Sequence, residues 1–416
     1  MRSRWILLLL VAIVSLAGAG YFLRRGRSEP GPPPVQGNRL FQTVMRYVRS
    51  ESVDSLSEEE LYRLAASGVI SELEDPYAVL ILPGQRRSAD PDADPPLGLH
   101  LERRDGALVV VGTVPGSPAD RAGVQSGDLL FAVENTSVEP EDLEAMGEVL
   151  DGPAGSRVLL RLRRSGRGPL TIEVPRGPVP RVPSLTSELL DGGIGWIRIA
   201  RVGPRVTDSL ARAVERLRAS GMRGLILDLR RSVGGALPDA VAAADLFLDD
   251  RIVLAATRGR SPADSMRFVD STPARFPDLP LVVLVDQGTA GGAEALAGAL
   301  QDHDRAAVLG MPTFGRGVTQ RRFPLGAGAS LQLTTALWLT PSGRQIQTPP
   351  RPEDGDSVPR PRVKSDAGRT LLGGGGIVPH QQVRDSGAVD RSLVAALALL
   401  ERARTPGSVL ARVPPT

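Results

Sequence analysis

The 416-residue sequence predicts a multidomain protein of mixed α+β and α/β class, with an N-terminal membrane helix, a small helical module, a compact β-rich unit and an α/β layered core. Three observations carry this reading. One long apolar run follows the N-terminus, alternating apolar residues mark short strands over 97–175, and from Gly193 onward buried strands alternate with helical patterns. The chain exceeds one ordinary domain and has room for two or three folded units with linkers. Hydrophobic residues at 41% and charged residues at 23% lie near the globular average, which excludes wholesale disorder and a polytopic membrane protein.

At the N-terminus an apolar run from Trp5 to Leu23 is flanked by Arg2 and Arg4 before it and by Arg24, Arg25 and Arg27 after it. At about 1.5 Å per residue the run is just long enough to cross a hydrocarbon core. Residues 1–27 read either as an uncleaved membrane anchor, which the length favours, or as a signal peptide cleaved after Ala17 and Ala19. Both readings place the bulk of the chain in the cell envelope, anchored to the inner membrane or exported to the periplasm or extracytoplasmic space. Residues 28–37 form a Pro-rich linker.

Residues 38–95 carry apolar positions at helical spacing and end in a polar Asp/Pro loop. The β-rich unit spans 96–177, with one helical pattern from Glu141 to Leu150. The core spans 178–404, interrupted by an exposed insertion at about 348–366, and a tail closes the chain at 405–416. In the core, Leu225 to Leu229 reads as a buried strand leading to the turn Arg230-Arg231-Ser232-Val233-Gly234-Gly235. Leu281 to Val285 reads as another, opening onto a loop before the helix Ala293 to Gln301.

Several classes are excluded. The isoelectric point of about 9.7 comes with a net charge of only +3, and Arg and acidic residues are interspersed, so no nucleic acid is expected. Neither Gly-rich turn has a P-loop ending or a full GxGxxG, and three scattered His with no Cys make no zinc site, so no cofactor and no metal are expected. His100 reads as an outward-facing strand residue, His303 as a solvated turn residue and His380 as a surface-loop residue.

Gly116-Ser117-Pro118-Ala119 and Gly127-Asp128-Leu129-Leu130 resemble a PDZ domain of the bacterial protease type. The resemblance implies strand addition of a polypeptide C-terminus at a sheet edge, with its carboxylate on the loop Leu97-Gly98-Leu99. The order Asp228-Leu229-Arg230, Gly234-Gly235, Ala297 to Asp302, Thr313-Phe314-Gly315 and Thr340 to Arg344 resembles the C-terminal processing (tail-specific) peptidases, whose core is of the ClpP/crotonase-like α/β type. That family uses a Ser nucleophile and a Lys base. Aligned on Glu294, the nucleophile position is Gly291. The base position, 25 residues on, is Arg316.

A guanidinium cannot take a proton from a nucleophile at any working pH. The chain has one lysine, Lys364, and it falls in the insertion. The resemblance further implies Gln320 as a supporting residue and Gly234, Gly235 and Gly292 as oxyanion positions. Thr289 is the hydroxyl left in the turn, a candidate surrogate nucleophile. Two expectations stand. One is an inactive homologue that binds polypeptide C-termini or unfolded envelope proteins, with an active peptidase as a possible partner. The other is a working peptidase with a non-standard nucleophile.

Overall fold

The computed structural model describes residues 37–413 apart from 74, 84–94, 139–146, 148, 250, 271, 350–358, 386–388 and 404. The apolar run 5–23 and most of the helical pattern 141–150 lie outside the described residues. Among the described residues no helix is long and apolar enough to cross a membrane. The chain divides into two compact units, one up to Val69 and one from Ile70.

The first unit holds helix α1 (Gly37–Glu51) and the start of helix α2 (Glu58–Ser71). A capping box sets the entry to α2: the Glu60 N–H donates to Ser57 Oγ at 3.2 Å, and the Glu60 carboxylate accepts the Ser57 N–H at 2.9 Å.

The second unit begins with β1 (Val79–Ile81). An antiparallel sheet follows, made of β2 (Leu99–Arg104), β3 (Ala107–Thr113), β4 (Leu129–Val133), β5 (Thr136–Ser137), β6 (Arg157–Arg164) and β7 (Gly168–Pro175). Its order is β2-β3-β4-β6-β7, with β5 on β4, so β2 is an edge. Alternation explains its core: along β6, Val158, Leu160 and Leu162 are fully buried while Arg157, Arg161 and Arg163 face out. Ser117 caps the short helix α3 (Pro118–Arg121), and the buried Asp128 carboxylate takes both Nε and Nη2 of Arg164 at 2.7 Å.

The core sheet contains β8 (Leu185–Leu190), β9 (Ile194–Ile199) and β10 (Gly224–Asp228), with helix α4 (Val206–Ala219) between the last two. Beyond the short β11 (Val233–Gly234) and helix α5 (Leu237–Asp245) come β12 (Val253–Gly259), β13 (Arg267–Val269), β14 (Leu281–Val285), β15 (Ala290–Gly291), helix α6 (Gly292–Asp302) and β16 (Ala307–Gly310). The hairpin β17 (Val318–Gly326) and β18 (Ala329–Leu339) is followed by β19 (Arg362–Lys364), β20 (Thr370–Leu372), β21 (Gln381–Gln382) and helices α7 (Arg391–Glu401) and α8 (Pro406–Leu410).

The main sheet runs β21-β16-β14-β10-β9-β8, parallel except for β8. Its central strands β10, β14 and β16 are buried along their whole length because both faces are covered. Leu225, Leu227, Val283 and Val285 pack toward α4, α5 and α6; Ile226, Val282 and Leu284 pack toward α7 and α8. A second core sheet, β1-β18-β12-β13 with β17 on β18, flanks it. Part of the region read as an exposed insertion is ordered: β19 pairs with β20, and Lys364 stays exposed there, its Nζ 2.9 Å from Thr370 Oγ1.

Candidate functional site

The site lies where β10 and β14 end side by side. Beyond β14 the chain turns at Asp286, whose half-buried carboxylate accepts the N–H groups of Arg231 (2.9 Å) and Gly288 (3.0 Å). Burial pushes this carboxyl above its ordinary range. Thr289 Oγ1 accepts the Asp286 N–H at 3.0 Å and donates its proton to Leu229 O at 2.8 Å; Asp286 Oδ1 is farther, at 3.2 Å. The side chain is fully buried, so the surrogate nucleophile of the sequence reading is tied into the turn.

The chain then pairs β15 with β11, placing Gly291 beside Gly234 in parallel register. Gly291 has φ 71° and ψ −125°, a conformation that disfavours residues with a Cβ. It carries no oxygen toward the space above it. A Cβ on Gly292 would meet Gly235 C and O at 3.2 Å, so these two backbones are in contact. The short β11–β15 ladder, with the Ala290 N–H donating to Ser232 O at 2.9 Å, ends at Gly234 and Gly291, so Gly235 and Gly292 follow directly after it. Gly292 opens α6, where the first N–H groups of a helix have no internal acceptor.

Glu294 organises the turn. Its Oε2 accepts the N–H of Gly291 (3.0 Å) and of Arg316 (2.8 Å), and its Oε1 accepts the N–H of Gly315 (2.6 Å) and the Thr313 hydroxyl. One buried carboxylate thereby holds both residues aligned with catalytic positions, each by its backbone. Burial raises its pKa to about 7, against the lowering by these four bonds. In the sequence Glu294 stands out only as an alignment anchor; its four convergent donors are a tertiary feature.

Arg316, the residue the sequence aligns with the family's base, has its Nε 3.5 Å from Glu102 Oε2 and its guanidinium 5.7 Å from the Tyr77 ring centroid. The Tyr77 hydroxyl donates to Glu102 Oε1 at 2.5 Å. Gln320 Nε2 reaches the Tyr77 carbonyl at 3.5 Å, a long contact to backbone. Above the turn, Val109 and Val111 of β3 pack on Val233, Ala290 and Phe314. Arg104 stacks 3.8 Å from the Phe314 ring centroid, and Arg231 reaches Thr113 Oγ1 (2.8 Å) and Asp120 (2.5 Å). The β-rich unit is a roof over the site.

The loop Leu97-Gly98-Leu99 heads β2, with Leu97 and Leu99 buried. Its Gly98 N–H donates to Pro95 O at 2.8 Å and its Leu99 N–H to Pro96 O. Gly98 has φ 70°, and a Cβ on it would fall 2.3 Å from Ser117 Cβ, so the approach of loop to helix requires glycine.

All three histidine expectations need correction. His100 is on β2 but half-buried, lining a cleft toward the core. His303 is no solvated turn residue, since its ring sits between Asp366 (Nδ1, 2.7 Å) and Val253 O (Nε2, 2.8 Å). His380 is buried, its Nδ1 accepts the Val308 N–H at 3.0 Å, and burial, then Arg369 and Arg344, lower its pKa to about 4. Among the described residues no group of three or more His, Cys, Asp or Glu is placed to hold a metal. Sequence reasoning did not single out Ser232, whose buried Oγ has no hydrogen-bond partner among the described residues.

Comparison with known proteins places this geometry in a family. Residues 193–353 match peptidase family S41, and residues 109–164 match a PDZ domain. The chain is 30% identical over 302 residues to carboxy-terminal processing protease CtpA of Bacillus subtilis, covering 72% of this chain and 64% of that protein. It is 30% identical over 315 residues to the carboxy-terminal-processing protease of Bartonella bacilliformis, covering 74% and 72%. Among solved structures, a photosystem II D1 C-terminal processing protease aligns with TM-score 0.68 and 24% identity over 89% of this chain and 93% of that one, a likeness of fold. The chain belongs to the carboxy-terminal processing serine peptidase family and carries a PDZ domain.

Proposed function

We propose that this member of the family binds polypeptide C-termini without hydrolysing them and serves as an adaptor, decoy or partner subunit for an active peptidase in the cell envelope. The observation that carries the proposal is the pair of residues held by Glu294. Position 291 supplies no side-chain oxygen, and position 316 supplies a guanidinium turned to Glu102 and Tyr77. Acyl transfer needs a nucleophile and an acceptor for its proton, and both are lacking here. Thr289 does not replace them, because its hydroxyl already donates to Leu229 O in a fully buried setting.

The Gly235 and Gly292 amides support retention of a carbonyl-binding cradle. The edge strand β2 supports strand addition by a polypeptide. Location in the envelope, with the apolar run 5–23 as anchor or export signal, rests on the sequence. The test incubates the full chain, in detergent, with an unfolded reporter whose apolar tail ends in a free carboxylate or in an amide. The proposal expects retention of the free-carboxylate form at unchanged intact mass; a shortened reporter, with contaminating proteases excluded, overturns it.

A further inference from the structure

An open cleft of about 910 Å³ lies between the PDZ domain and the core. His100 and the segment 113–115 line it from the PDZ side; the segment 181–184 that leads into β8, the turn after β9 and the first turns of α4 line it from the core. Arg181, Arg201, Arg205, Arg212 and Arg231 all border it, against one acid among its described lining residues, Asp208. Arg231 is committed to Asp120 and Thr113, whereas Arg181, Arg205 and Arg212 are exposed.

Helix α4 enters the cleft with no side-chain cap, so the positive end of its dipole adds to the same field. His100 responds to this setting: burial first, then Arg201 and Arg316, lower its pKa to about 4 and keep the ring neutral. Between the arginines the wall also offers apolar surface from Val114, Pro115, Val182 and Pro204. A free phosphate has no use for such walls. A polypeptide segment that mixes carboxylates with apolar side chains uses both, and the volume is near the top of the roughly 300–1,000 Å³ usual for ligand pockets.

We propose that this cleft binds an acidic, partly apolar polypeptide segment, its carboxylates taken by Arg181, Arg205 and Arg212, and so selects which chains the protein holds. The proposal rests on the reading of this protein as a polypeptide binder and adds the chemical class of the polypeptide. Guanidinium groups suit it, because they pair carboxylates in a bidentate fork.

The test titrates the full chain, in nonionic detergent, with two labelled synthetic peptides identical except that alternate positions are Glu in one and Gln in the other, both ending in the same free carboxylate. The Glu peptide is expected to bind on the order of tenfold tighter, with an advantage that shrinks as salt rises. The triple variant R181Q/R205Q/R212Q is expected to erase that advantage while holding the Gln peptide as the parent does, which also shows that it is folded. Equal binding of the two peptides overturns the cleft's role and leaves polypeptide binding standing; binding of neither overturns both. Displacement of the Glu peptide by inorganic phosphate, or by phosphatidylglycerol vesicles, as effective as by unlabelled Glu peptide also overturns it, assigning the cleft to anions at large or to a lipid surface.

Discussion

Replacing Glu294 by glutamine tests the claim that one buried carboxylate holds the turn together. The wild-type carboxyl ionises near pH 7 in the folded protein against 4.5 in its ordinary state. Its folded pKa is raised, so the folded state binds the proton more tightly and stability falls as pH rises from 4.5 through 7, then levels. At 1.36 kcal/mol per unit, this one group removes about 3 kcal/mol across the window, most of it between pH 5 and 7. The side-chain amide of the Glu294→Gln variant cannot be charged, so the variant lacks this decline. It also turns an NH2 group toward donors that the carboxylate accepts, and each buried donor left unpaired costs about 1–3 kcal/mol. The assay is urea unfolding of both proteins at pH 5, 6, 7 and 8. The account expects the variant to be less stable at pH 5 and the gap to narrow by about 3 kcal/mol at pH 8. Parallel curves would refute the assignment of a buried, pH 7 carboxyl to this position.

Three further outcomes are expected. Gly291→Ser folds but is destabilised by about 1–3 kcal/mol, because the new Cβ meets Gly234 O at 3.2 Å at a positive φ; a thermal melt measures it. Arg344→Ala strands the buried Asp302 carboxylate, which now receives Arg344 Nε at 3.0 Å, and costs about 3–5 kcal/mol in chemical denaturation. Arg231→Ala removes partly exposed bonds to Thr113 and Asp120, costs about 1 kcal/mol or less, and speeds amide exchange in β3 while leaving β14 protected.

Much of this was legible in the sequence because it depends on local pattern. Leu225 to Leu229 and Leu281 to Val285 are unbroken apolar runs, which a strand covered on both faces requires, and the structure has strands there. The Gly234-Gly235 turn and the helix after Gly291 were likewise readable from spacing. What could not be read depends on residues far apart in the chain. His303 reads as solvated among polar neighbours, yet Val253 and Asp366 close over it. The roof that β3 makes over Val233, Ala290 and Phe314 unites three distant segments with none of the periodicity that marks a single element. Arg181, Arg205 and Arg212 look like ordinary surface charge until folding brings them to one cleft.

The measurement that bears most directly on loss of hydrolysis is cleavage of the apolar-tailed reporter by the wild-type full chain and by the double variant G291S/R316K, side by side in the same preparation. The proposed loss of hydrolysis predicts an intact reporter with wild type and a shortened one with the double variant, since the Glu294 carboxylate holds the backbone of both positions 291 and 316 and the variant restores a hydroxyl and an amine there. Shortening by wild type at the rate of the variant would contradict it, and Ser232 and Thr289 would be the first hydroxyls to replace.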